Sequence, residues 1–296
     1  MKKLFIIILF IIIGFCGSGC NKENGEYKYT VEDIEVTTGN LSLDGKLTTP
    51  ITKEKVPAVV MVHGSGPLDM DSTVNKLKPF KDLAEGLANK GIASIRYDKV
   101  TYTHLNEVAT NYDFTIYDET VYDALSAVKL LKEDSRIDSN NIFILGHSLG
   151  GQLAPIILNE EPSINGAIMM AGTPRHILDL LMDQIKEQDE NYHKEVYPIY
   201  KYIKNLEEVV PGQEKYLYFG AYQKYWVNYN KINIEEETKS ASQNHPLLIM
   251  QGGLDIQVPK STIDLYKNIL KDSSNIVYKE YELLNHCFDD GQEKHI

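Results

Sequence analysis

Short apolar-rich runs alternate along this chain with stretches in which apolar residues recur every third or fourth position. The short runs fall at residues 58–63, 92–97, 142–145, 167–170, 247–250 and 276–281 and predict strands; the first, ending at Gly64, reads as a strand buried on both faces. Helical spacing falls between them, at residues 80–89, 119–132, 149–158 and 262–270. In the second of these, Val121, Leu125, Val128 and Leu131 mark one face. Gly91 supplies a stop signal after the first. Two β-like runs, residues 30–37 and 41–49, flank Thr38-Gly39-Asn40 and predict a hairpin. The alternation predicts an α/β fold with a doubly wound, mainly parallel sheet. Its core should span residues 30–173 and 245–296.

Residues 174–244 break this rhythm. The stretch is far longer than an ordinary strand-to-helix connection, and it carries Tyr192, Tyr197, Tyr200, Tyr202, Tyr216, Tyr218, Tyr222, Tyr225, Tyr229 and the only tryptophan, Trp226. It leaves the sheet from the C-terminal end of a strand, where open α/β sheets bind ligands. A helical cap over that edge is expected, with Trp226 facing the substrate; the alternative is a helical insertion packed away from the site.

The chain start has a different character. Lys2 and Lys3 precede an unbroken apolar run over residues 4–13, and Gly17-Ser18-Gly19 leads into Cys20. This is the layout of an export signal, and the run is short of the roughly 20 apolar residues that a spanning helix needs. The small residues before Cys20 resemble a bacterial lipoprotein cleavage box, although Gly17 stands where an aliphatic residue is usual. The expectation is a signal peptide over residues 1–19, a lipid on Cys20, a polar tether over residues 20–29, and a protein held outside the cytoplasm on a membrane; the alternatives are an uncleaved anchor, or a plain signal peptide and a secreted protein. Cys16 would leave with the signal, so Cys287 would be the one thiol left and no disulfide could form within one chain. At 296 residues and a net charge of −12, the chain suits one large domain or two modest ones and repels nucleic acid.

Candidate chemistry centres on Gly146-His147-Ser148-Leu149-Gly150, set between an apolar strand and a helix. A Gly-x-Ser-x-Gly motif in that setting puts the serine on a tight, strained turn, and its glycines admit backbone too close for side chains. A serine hydroxyl needs a base to attack. In this arrangement the acid and then the histidine follow in chain order. His286, after the last strand, is the expected base; His176 and His193 fall in the cap, His245 precedes a strand, and His295 is next to the terminus. Asp255, after the preceding strand, is the expected orienting acid. The oxyanion donors are expected to be the N–H of Leu149 and that of Ser65 in His63-Gly64-Ser65-Gly66-Pro67. Gly66 is the runner-up donor and a candidate substrate contact.

These segments resemble the bacterial α/β-hydrolase esterases with a His-Gly-Ser-Gly-Pro loop, a branch related to dienelactone hydrolases. Arg96-Tyr97-Asp98-Lys99 resembles the branch's strand-end motif, Ala171-Gly172-Thr173-Pro174 its entry into the cap, Tyr225-Trp226 a motif within the cap, and Leu284-Asn285-His286 its histidine loop. The resemblance implies hydrolysis of small carboxylic esters through an acyl-enzyme, with no metal or organic cofactor. Two departures stand out: Val100-Thr101 replaces the usual Arg-Gly, and little chain follows His286, where related hydrolases close with another helix. A thinly covered sheet face near residues 276–281 is the expected consequence. Alternatives on the same scaffold are a serine aminopeptidase, with Glu187, Asp189 or Glu190 as a clamp for the peptide terminus, an acyltransferase, or a catalytically silent binding lipoprotein.

Overall fold

A computed structural model describes residues 22–23 and 26–290. The expected signal, Cys20 and His295 lie outside the described residues. An eight-stranded sheet forms the centre. In chain order its strands are β1 (Tyr29–Thr38), β2 (Leu41–Pro50), β3 (Val56–Val62), β4 (Ala93–Tyr97), β5 (Ile137–His147), β6 (Ala167–Met170), β7 (Leu247–Gly252) and β8 (Ile276–Tyr281). Across the sheet they run β8-β7-β6-β5-β3-β4-β2-β1. Strands β3 to β8 run parallel to one another. The β1–β2 hairpin adds antiparallel to β4. This is the strand order of the α/β-hydrolase fold. The chain moves one way from β3 to β4 and the other way from β3 to β5. Their C-terminal ends therefore border the crevice in which such sheets hold ligands.

Eight helices of eight residues or more are described: α1 (Pro79–Asn89), α2 (Tyr122–Glu133), α3 (Leu149–Glu160), α4 (Ile177–Gln188), α5 (Glu190–Lys204), α6 (Gln223–Asn230), α7 (Ile234–Asn244) and α8 (Thr262–Ile269). The larger core joins the central strands to residues from α2, α3, α7 and α8, including Val128, Leu153, Ala241 and Tyr266. The opposite face is a smaller cluster of Val59, Met61, Leu145 and Met170 under Phe80 and Ala84 of α1. Phe143, Ile168 and Met250 on this face are only partly buried. A cleft of about 360 Å3 lies there between α1 and Phe288. The last half of β8 is exposed.

Two boundaries differ from those the apolar runs suggest. β5 starts at Ile137, because the polar residues 138–141 continue the strand past an irregularity opposite Val56 and Ala58. A π-helical turn, Tyr117–Val121, precedes α2 and turns Glu119 into the interior. In the insertion, α7 packs along α3, with Asn159 Nδ2 donating to the Glu237 carbonyl at 3.1 Å. The last helix of this segment therefore lies beside the serine's own helix.

Candidate active site

Ser148 occupies the turn between β5 and α3 at φ 54° and ψ −115°. A non-glycine residue in the left-handed region is strained, and this one is held by its surroundings. The Ser148 N–H donates to the Met170 carbonyl at 2.8 Å, and its own carbonyl accepts from the Gln152 N–H at 3.0 Å. Gly150 is obligatory here: a Cβ on it would lie 2.2 Å from the Val62 carbonyl oxygen. A Cβ on Gly146 would lie equally close to the Gly150 carbonyl. Strand, turn and helix can close this tightly only without those side chains. The helix then offers its unpaired N-terminal N–H groups where the turn ends.

The histidine loop leaves the exposed edge strand β8. His286 Nδ1 donates to Asp255 Oδ2 at 2.8 Å, and both residues are buried. Asp255 is fixed in turn. Its Oδ1 accepts from the N–H groups of Gln257 and Val258, each at 2.8 Å, and its Oδ2 also accepts from Gln251 Nε2 at 3.0 Å. With the proton on Nδ1, His286 keeps Nε2 as an acceptor. Ser148 Oγ makes no hydrogen bond among the described residues.

His147, the residue before the serine in the motif, is a further candidate for the site that sequence reasoning missed. Its Nε2 donates to the His286 carbonyl at 2.8 Å, and the two rings lie 4.8 Å apart. Burial, helped by the nearby His286, pushes its pKa down to about 4. It therefore stays neutral and serves as a fixed donor that ties the histidine loop to the serine turn.

The loop after β3 passes beside the serine: a Cβ on Gly64 would be 3.2 Å from Ser148 Cβ. Ser65 and Gly66 are exposed, and Gly66 adopts φ 88°. The N–H groups of Ser65 and Leu149 donate to no protein group among the described residues. Every residue of Arg96-Tyr97-Asp98-Lys99 grips this loop. Arg96 Nε donates to Asp71 at 2.9 Å, and the Tyr97 carbonyl accepts from His63 Nε2 at 2.6 Å. Asp98 Oδ1 accepts from the Met70 N–H at 2.7 Å, and Lys99 Nζ donates to the Gly64 carbonyl at 2.7 Å. Thr101, in the departing Val100-Thr101 pair, reaches the Gly66 carbonyl at 3.4 Å. The departure thus adds a further hold on the same loop.

Trp226 is placed differently from the expected substrate contact. It is 4% exposed, its indole N–H donates to the Tyr218 carbonyl at 2.6 Å, and its ring meets Phe219, Tyr225 and Tyr229. With its polar tip satisfied and its faces covered, it packs the interior of the insertion. The side chains that reach the core from the same helix are its neighbours. Tyr225 donates to Glu119 at 2.6 Å, and Tyr229 donates to Gln152 of α3. Glu187, Asp189 and Glu190 are exposed; Asp189 caps α5 and Glu190 pairs with Lys194. None of the three forms a buried clamp.

Residues 110–295 match the family model described as the prolyl oligopeptidase family. The chain belongs to the prolyl oligopeptidase family. Within reach of this prolyl oligopeptidase-family chain, the esterase EstD of Thermotoga maritima is 34% identical over 267 residues. That match covers 89% of this chain, which spans 61% of the length of that curated relative. Among solved structures, a puromycin-hydrolysing peptidase of Mycobacterium tuberculosis gives a TM-score of 0.58 at 19% identity, over 90% of this chain and 37% of that one. A dienelactone hydrolase of Anabaena variabilis gives 0.54 at 16% identity, over 89% and 90%. At those identities the two structures speak for the fold alone.

Proposed function

We propose that this chain is a serine hydrolase that cleaves small carboxylic esters, with Ser148 as nucleophile, His286 as base and Asp255 as orienting acid. The observation that carries this is the buried His286–Asp255 hydrogen bond, locked to the strained Ser148 turn through His147. In the proposed reaction, Ser148 Oγ attacks the ester carbonyl carbon while His286 Nε2 takes the hydroxyl proton. The oxyanion is received by the N–H groups of Leu149 and Ser65. Collapse breaks the ester C–O bond, and His286 returns the proton to the departing alcohol. A water then repeats the sequence and releases the acid. A serine–histidine contact that is open without substrate and tightens on binding is common in such sites.

The 34% identity to an esterase favours esters, while the family model's name keeps a peptidase in play. The acids of the insertion, exposed and forming no buried clamp, favour the ester. A direct comparison of a p-nitrophenyl ester with the matching p-nitroanilide decides between them. The ester should turn over at least about a hundredfold faster, and Ser148→Ala should lose that activity. An anilide rate equal to the ester rate would favour the peptidase.

The insertion is proposed to roof the ester site, since Tyr229 seats it on α3, the serine's own helix, and Tyr225 on the π-helical turn before α2. Attachment to a membrane through Cys20 is proposed from the leader alone. Among the described residues, no helix is long and apolar enough to cross a membrane. Labelled palmitate should enter the expressed protein and be absent from Cys20→Ser; equal labelling would remove Cys20 from the assignment.

A further inference from the structure

We infer that Lys99 is a positioning residue for the oxyanion hole, and that Glu119 and Tyr225 couple its grip to the seating of the insertion. This rests on Ser148 and Ser65 acting as proposed above. A peptide unit is planar, and in its trans form the carbonyl and the N–H point in opposite directions. Gly64 C=O and Ser65 N–H belong to one such unit. By holding the Gly64 oxygen at 2.7 Å, Lys99 Nζ fixes the direction in which the Ser65 N–H points. The residues in that loop would not fix it alone: Ser65 and Gly66 are exposed, and Gly66 is a glycine at φ 88° with open space around it.

Lys99 is 2% exposed, so its charge needs a partner. Glu119 supplies one at 2.5 Å, from the π-helical turn before α2. The second oxygen of Glu119 accepts from Tyr225 of α6. A continuous buried path therefore runs from the insertion through Tyr225, Glu119 and Lys99 to the peptide that carries the donor. When the insertion seats, Tyr225 orients Glu119, Glu119 orients Lys99, and the Ser65 N–H is aimed before the ester arrives. Prepared donors of this kind act on the transition state more than on the bound substrate.

The test pairs Lys99→Met with Glu119→Gln, so that no lone charge is left buried. A second variant, Tyr225→Phe, keeps the ring and removes only the hydroxyl. Hydrolysis of p-nitrophenyl butyrate and inhibition by an alkyl boronic acid, which mimics the tetrahedral state, are measured for each. The double variant should lose about ten- to a hundredfold in kcat, with KM and the pH profile within about threefold of wild type. Boronate affinity should fall in parallel. Tyr225→Phe should lose about threefold in kcat in the same pattern. Fluorophosphonate labelling of Ser148 in the wild type separates the two layers of the inference. Without it the nucleophile assignment fails. With it, unchanged kcat and boronate affinity in the folded double variant overturn the role of Lys99. Should the double variant fail to fold, Tyr225→Phe decides, and a wild-type kcat there overturns the coupling.

Discussion

The serine turn and the histidine loop are held by different balances of steric and polar contacts. The turn lies at the sheet's centre, and backbone packed against backbone fixes it: Gly146 and Gly150 have no room for a Cβ. The loop hangs from an edge strand whose last residues are exposed; Gly252 and Gly253 let its backbone pack closely at the base, and polar bonds hold the histidine beyond. Asp255 grips the ring, and His147 grips the carbonyl of His286. The Leu254 N–H reaches the Leu284 carbonyl at 3.0 Å. Steric closure leaves a mark in the sequence and tolerates no substitution of its glycines. Polar tethering leaves almost no mark and fails by degrees. One half of the site should therefore break by unfolding, and the other by losing rate while the fold survives.

The largest expected effect is on the polar side. Asp255→Asn keeps the side chain's shape but loses the acceptor for the His286 proton, and it should lower kcat by about 10³-fold or more. Its melting temperature should stay close to wild type; a collapse of the fold would show that Asp255 is mainly structural. Next comes Gly150→Ala, which drives a methyl into the Val62 and His63 carbonyls. It should destabilise by about 3 kcal/mol or more, read by urea denaturation, and a soluble variant of unchanged stability would refute the closure argument.

Acid should reach both halves. Burial holds His63, His147 and His176 at a pKa of about 4, below the free value of 6.5. Their neutral forms stabilise the fold fully above pH 6.5, and that contribution is lost as pH falls toward 4. Asp123 works the other way: burial raises it from 3.8 to about 6, so its contribution is present below 3.8 and is lost as pH rises through 6. Three groups against one predict a melting temperature that drops by about 5 °C or more between pH 6.5 and pH 4. A flat profile over that window would contradict the buried neutral histidines. The smallest effect is His147→Phe, which keeps a ring and removes the donor to His286. It should cost about tenfold in kcat with little change in stability. Unchanged kcat would mean that the loop is placed without His147.

Those differences also explain what was legible in the sequence. All eight sheet strands and four of the helices stand out as runs or spacings; the central strands do so most plainly, because a strand buried on both faces has little freedom in composition. Ser148, Asp255 and His286 stand out by their order after successive strands. The tethers do not: His147 and His286 are 139 residues apart, and Glu119 and Tyr225 are 106 apart. No periodicity links such partners. Lys99 was visible as part of Arg96-Tyr97-Asp98-Lys99, but only the folded chain shows all four residues gripping one loop. Trp226 was misplaced for a related reason. An aromatic-rich helix signals a large apolar contact, and spacing alone does not say whether a ring turns toward the substrate or into the insertion's own interior.

The most direct test of the account is intact-mass spectrometry of the protein after reaction with a fluorophosphonate. The wild type should gain one phosphonyl group, mapped by peptide analysis to Ser148, and Ser148→Ala should gain none. A label on another residue, or equal labelling of both proteins, would contradict the account.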